Sequence, residues 1–139
     1  MSKQPVVKEF FRAIDDHDFS AVAKYHADTC QYRMNYDVMN GAEQFRQMIA
    51  GWYSAFPDLR HEVTDYVEEG NRAGFTLRIT GTHTGTMRTP NGDVPATGKR
   101  VDFRVADIVS FGADGKAITW NAYFDMVVML QQLGLAPAA

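Results

Sequence analysis

Cysteine is nearly absent. Cys30 stands alone among 139 residues, which excludes an intramolecular disulfide and any thiolate zinc cluster. Long apolar runs are missing too, and no stretch approaches the ~20 residues of a membrane-spanning helix. Met1–Phe10 carries two lysines and a glutamate but no apolar run of signal-peptide length, so the reading is a cytoplasmic protein. Fourteen basic residues face 17 acidic ones, leaving a net charge of −3 and no basic run. Phosphate backbones and anionic membranes both require a concentrated positive face, so neither nucleic acid nor membrane is an expected partner. Gly81, Gly85, Gly92 and Gly98 precede no phosphate-cradling helix. His17, His26 and His61 have no metal-ligand spacing to a second histidine, cysteine or carboxylate, and no metal is expected. Repeats, low-complexity tracts and linkers are also missing, so residues 1–139 read as one domain.

What is present is clean periodicity. Pro5 suits an early helix position, and Val6, Val7, Phe10, Phe11 and Ile14 follow at helical spacing. Asp18 reads as the N-cap of a short second helix reaching Tyr25. Cys30–Asn35 reads as a strand. Asn40-Gly41-Ala42-Glu43 has the spacing of a capping box. The helix behind it sets Phe45, Met48, Ile49, Trp52, Tyr53 and Phe56 on one stripe, and Pro57 stops it. After Pro57 the period changes to two. His61–Glu69, Arg72–His83, Val101–Phe111 and Lys116–Asp125 read as strands, with turns at Gly70-Asn71 and Asp114-Gly115. Met126–Leu133 is a short apolar tail that Gly134 ends. Helices first and a strand meander after predict an α+β fold, with the 41–56 helix covering the concave face of a curved sheet. A cavity then lies between them, walled by Tyr32, Met34, Met48, Trp52, Phe56, Phe103, Val105 and Tyr123.

Asp107 is the sharpest anomaly. It falls in phase with Val101, Phe103, Val105, Val109 and Phe111, and a buried carboxyl must be bonded, paired or protonated. It is either a catalytic acid/base or a structural aspartate bound to an amide, Arg104 or Arg78. Asp125 ends Trp120-Asn121-Ala122-Tyr123-Phe124-Asp125. Alternation puts Asn121, Tyr123 and Asp125 on one face and Ile118, Trp120, Ala122 and Phe124 on the other, without saying which is inward, and a bulge would change the phase. From its position alone Asp125 reads as an N-cap for the tail. His83, between Gly81 and Gly85, is either an acid/base near neutral pH or an exposed loop residue.

Ala55-Phe56-Pro57-Asp58-Leu59, Gly81-Thr82-His83-Thr84-Gly85, Thr97-Gly98-Lys99-Arg100-Val101, Asp114-Gly115-Lys116 and Asp125 with Gln132-Leu133-Gly134 resemble, in order, the SnoaL-like polyketide cyclases of the nuclear-transport-factor-2-like superfamily. The resemblance covers about residues 6–135. It implies an α+β cone around an apolar pocket, a homodimer, and cofactor-free closure of a polyketide ring by intramolecular aldol condensation. The family's acid/base aspartate matches Asp125, with Asp107, His83 or Asn121 left to polarise the carbonyl. Ketosteroid isomerase is similar at Asp107, but its base falls near Met34 and its tyrosine near Phe10. Limonene epoxide hydrolase is similar at Trp120 and Tyr123-Phe124-Asp125, but Thr80 stands where its Arg-x-Asp needs a carboxylate. The expected ligand is therefore a hydrophobic carbonyl compound. The alternatives are a non-catalytic binding protein or an epoxide hydrolase or isomerase-type relative. Asp107 and Asp125 on one cavity would favour catalysis; acids on opposite faces would favour binding or structure. With Asp125 inward, Trp120 would be the dimer contact.

Overall fold

Pro5 lies in the first turn of helix α1 (Gln4–Asp15), where a missing N–H costs nothing, in a computed structural model that describes residues 2–137. Val7, Phe10, Phe11 and Ile14 form the buried stripe of α1, as their spacing requires. Helix α2 (Ala21–Tyr25), strands β1 (His26–Met34) and β2 (Asp37–Asn40), and helix α3 (Ala42–Ala55) follow. Beyond Pro57 come β3 (Arg60–Glu69), β4 (Arg72–Thr82), the short β5 (Met87–Thr89) and β6 (Gly92–Val94), β7 (Arg100–Phe111) and β8 (Ala117–Phe124). Helix α4 (Met126–Gln132) ends the described chain, with Gly134 at φ +72° just past it. No helix among the described residues is long and apolar enough to cross a membrane.

Six strands make one sheet in the order β2-β1-β8-β7-β4-β3, and β5 and β6 form a separate hairpin. The expected antiparallel meander holds from β3 through β4 and β7 to β8. β1, however, runs parallel to β8, so the sheet is mixed. A parallel pair needs a long crossover, and here the segment from β2 to β7 supplies it. Register shifts at Val63–Asp65 and Ser110–Phe111 mark irregularities of the kind that bend strands. α3 does not cover the concave face alone. α1 packs against β3 and α3 against β1, and Phe10 and Phe11 of α1 reach Trp120 of β8.

Two helix starts differ from the sequence expectation. Ser20, not Asp18, is the N-cap of α2, and its side chain makes no capping bond there. Gly41, at φ +99°, is the N-cap of α3. Glu43 pairs with Arg46 instead of reaching back, and the Gln44 side chain accepts the Asn40 N–H at 3.2 Å. The cap is thus displaced by one residue, because glycine alone tolerates that backbone angle easily. β7 behaves as its alternation requires. Val101, Val105, Asp107, Val109 and Phe111 are buried, Phe103 is half-buried, and Asp102, Arg104, Ala106 and Ile108 are exposed.

Candidate active site

Period two carries Asp107 into the interior, where it is only 3% exposed. Across the β7–β8 ladder Asp107 faces Ala122, and Val109 faces Trp120. Trp120 is therefore a diagonal neighbour of Asp107, within reach of a large side chain. Its indole Nε1–H donates to Asp107 Oδ2 at 3.2 Å. Oδ1 is buried and has no partner among the described residues. Neither candidate arginine reaches this carboxyl: Arg78 pairs with Asp102 at 2.9 Å, and Arg104 is exposed on the other face. Burial pushes the Asp107 carboxyl up to about 7, and the Trp120 hydrogen bond offsets only part of that rise. Phe10, Phe11 and Phe75 surround the indole at ring-centroid distances of 5.5, 5.8 and 5.8 Å.

The unpartnered Oδ1 belongs to a residue lining an apolar cavity of about 100 Å³ between the sheet and helices α1, α3 and α4. That is smaller than the roughly 150 Å³ engineered cavity that admits benzene. A larger ligand must displace wall residues, and Met34, Met48 and Met129 supply unbranched, adaptable side chains there. Of the eight expected wall residues, Met34, Met48, Trp52, Phe56, Phe103 and Val105 line this cavity. Tyr32 does not. It is fully buried behind the wall, stacked on Phe45 at 4.0 Å, with its hydroxyl 2.6 Å from His26 Nδ1. Tyr123 does not either, being 44% exposed on the outer sheet face.

Three expected catalytic residues also lie elsewhere. Asp125 is exposed and caps α4, accepting the Val127 and Val128 N–H groups at 3.0 and 3.2 Å. The register that turns Asp107 inward also turns Ala122 inward, which sends Asn121, Tyr123 and Asp125 outward. Asp107 and Asp125 therefore do not share the cavity. Trp120, at 5% exposure, faces the cavity, and the condition for placing it at a dimer contact, an inward Asp125, is not met. His83 is neither exposed nor in the cavity. It is fully buried, stacked on Phe56 at 5.1 Å, and its Nδ1 lies 3.0 Å from Thr97 Oγ1. Burial lowers its pKa and favours the neutral ring.

The structure brings in residues that sequence reasoning passed over. Tyr53 and His61 also line the cavity. Asp15, at the end of α1, accepts from the Tyr53 hydroxyl at 2.6 Å, from His61 Nδ1 at 2.8 Å and from the His61 backbone N–H at 2.9 Å. The signal was present in Asp15, which follows Val7 and Phe11 at four-residue steps on the apolar stripe of α1. Among the described residues, no group of three histidine, cysteine or acidic side chains is placed to hold a metal ion.

An apolar cavity under a bent mixed sheet, with one buried carboxyl, is the setting in which a family match acquires meaning. The model of the SnoaL-like polyketide cyclases matches residues 5–133. The chain belongs to that family. No curated protein matches it in sequence. Among solved structures, AclR from Streptomyces galilaeus, provisionally assigned as a hydroxylase, is 25% identical with a TM-score of 0.83, covering 99% of this chain and 83% of its own. IdmH from Streptomyces antibioticus, provisionally assigned as a polyketide cyclase, is 20% identical with a TM-score of 0.78, covering 96% and 99%. An NTF2-like protein of unknown function from Burkholderia pseudomallei is 17% identical with a TM-score of 0.76, covering 96% and 98%. The fold of this SnoaL-like chain is thus the NTF2-like cone, as the sequence resemblance implied. Asp125, expected from the resemblance to be the acid/base residue, is in this SnoaL-like chain a helix cap.

Proposed function

We propose that the cavity binds an apolar, carbonyl-bearing molecule and that Asp107 transfers a proton at its α-carbon, the chemistry of a cofactor-free polyketide cyclase. One observation carries this reading: a half-bonded carboxyl, pushed up to about 7 by burial, in a mostly apolar wall. A group whose ionisation lies near the working pH can both take and return a proton efficiently. Ionised Oδ1 removes the α-proton, and the C–H electron pair moves into the enolate. The enolate carbon then bonds to a second carbonyl of the same molecule, whose oxygen receives the proton back from Asp107. The atoms and charges of the cycle balance within the substrate and one side chain. Asp125 takes no part in this cycle, because it is committed to capping α4.

A second reading is favoured by that same fact: with a single carboxyl in a small cavity, the pocket binds a ligand without turning it over. Exchange of the α-hydrogens of 2-tetralone in deuterium oxide, followed by proton NMR, separates the two. Under the catalytic reading wild type accelerates exchange and Asp107→Asn lowers the acceleration by about 10²–10⁴-fold. Saturable binding with no acceleration, or acceleration that Asp107→Asn leaves intact, removes Asp107 as the proton carrier. We also propose a homodimer formed through the outer sheet face, where Ile108, Ile118 and Tyr123 are 40%, 40% and 44% exposed. A monomer in sedimentation velocity at micromolar concentration would overturn it.

A further inference from the structure

A second titratable side chain, His61, lines the cavity at a different place from Asp107. Asp15 is 8% exposed and receives three donors, so the carboxylate has no capacity to donate and His61 Nδ1 must carry the proton. In a neutral ring bonded this way, Nε2 is the acceptor. Phe11 stacks on the ring at 5.0 Å and 22°, which sets its plane. No described residue bonds Nε2. His61 and Phe11 are shared between the apolar cavity and an adjoining polar cleft beside Lys8, Arg12, Asp16 and Glu62. His61 therefore stands where the cavity meets water. Across the sheet His61 pairs with Ile79, and Ile79 with Phe103, four residues along β7 from Asp107. Four residues of strand are about 13 Å, so His61 and Asp107 stand at well-separated positions of the sheet.

We propose that His61 Nε2 is an anchor for a hydroxyl donor on the ligand, a specificity-determining site at the water-facing end of the cavity. It selects an apolar ring compound with a phenolic or enolic O–H remote from the carbon on which Asp107 acts. The anchor deepens the proton-transfer reading and rests on it for the ligand class, while its test is a binding measurement independent of turnover. The probes are 2-naphthol and its methyl ether, which keeps the rings but cannot donate. Wild type should bind 2-naphthol about three- to tenfold more tightly, the effect of one satisfied hydrogen bond in an apolar site. Asp107→Asn should keep that preference, His61→Phe should lose it, and His61→Gln, which retains an acceptor oxygen, should restore part of it. In wild type, nitrogen NMR of the His61 ring should show Nδ1 protonated, with the Nε2 signal moving on addition of 2-naphthol and not of the ether. This readout does not depend on whether His61→Phe folds. Equal affinity for the two probes overturns the anchor, as does a preference abolished by Asp107→Asn but not by His61→Phe, or an unmoved Nε2 signal. Each of these outcomes leaves the tetralone result for Asp107 standing by itself.

Discussion

Replacing Asp107 by asparagine should make the protein more stable at neutral pH, and the size of the gain follows from its surroundings. The carboxyl is 3% exposed, and burial lifts it from 3.8 to about 7. One pKa unit corresponds to about 1.4 kcal/mol, so the full effect is about 4 kcal/mol. The sign follows from proton linkage. Below about pH 4 both folded and unfolded chains carry the proton, and Asp107 costs nothing. Between about pH 4 and 7 only the folded chain keeps it, so stability falls as pH rises. Above about 7 the folded chain holds a buried anion and the whole penalty is present. Asparagine retains an oxygen for the Trp120 indole and never ionises. Its own burial adds an offset that does not change with pH. The informative quantity is therefore the difference between wild type and Asp107→Asn in urea unfolding at pH 4, 6 and 8, followed by tryptophan fluorescence. That difference should move in favour of the variant by up to about 4 kcal/mol between pH 4 and 8. His26, which burial pushes down to about 3, destabilises the fold as pH falls below its ordinary 6.5. It does so in both proteins and cancels. Parallel stability curves would refute the reasoning, because they would mean that Asp107 ionises alike in the folded and unfolded chains.

Two further outcomes test the assignments of Asp125 and Gly85. Asp125→Ala removes the acceptor of two α4 N–H groups; we expect a loss of about 1 kcal/mol in thermal unfolding and an unchanged tetralone exchange rate. A collapse of exchange with normal stability would return Asp125 to the chemistry. Gly85→Ala would place a Cβ 2.0 Å from the Ser54 carbonyl oxygen, where Thr84 and Gly85 donate to Ala55 O. We expect a loss of about 3 kcal/mol in urea unfolding, and a variant as stable as wild type would contradict that close approach.

Asp107 was legible because period two on β7 is local: five large apolar neighbours in phase define the inward face without help from the rest of the chain. The phase of β8 is not local. Its own residues offer two plausible faces, and only the ladder partner of Asp107, Ala122, decides between them. Family resemblance favoured Asp125 as a site residue, whereas its position at the head of α4 pointed correctly to a cap. His83 was misjudged for a similar reason: flanking glycines suggest a loop, but the stacking partner Phe56 and the bonding partner Thr97 come from other segments. The Asp15–His61 pair is separated by 46 positions. Its only local sign was an acid on the Val7–Phe11 row at a helix C-terminus, where the backbone dipole disfavours negative charge. The parallel pairing of β1 with β8 left no local mark at all.

That pairing has a consequence for how the chain assembles. β1 is held on one side by the nearby β2, but on the other side by a strand some ninety positions later, in the parallel register of Tyr32 with Trp120. During synthesis that edge of β1 must wait, unpaired, until β8 has been made. Closing so distant a contact is entropically slow, and folds dominated by such pairings form in about milliseconds to seconds rather than microseconds. Phe10, Phe11 and the rest of the cavity wall gain Trp120 only at that last step, so a truncation before Ala117 would leave a greasy, two-edged intermediate prone to aggregate.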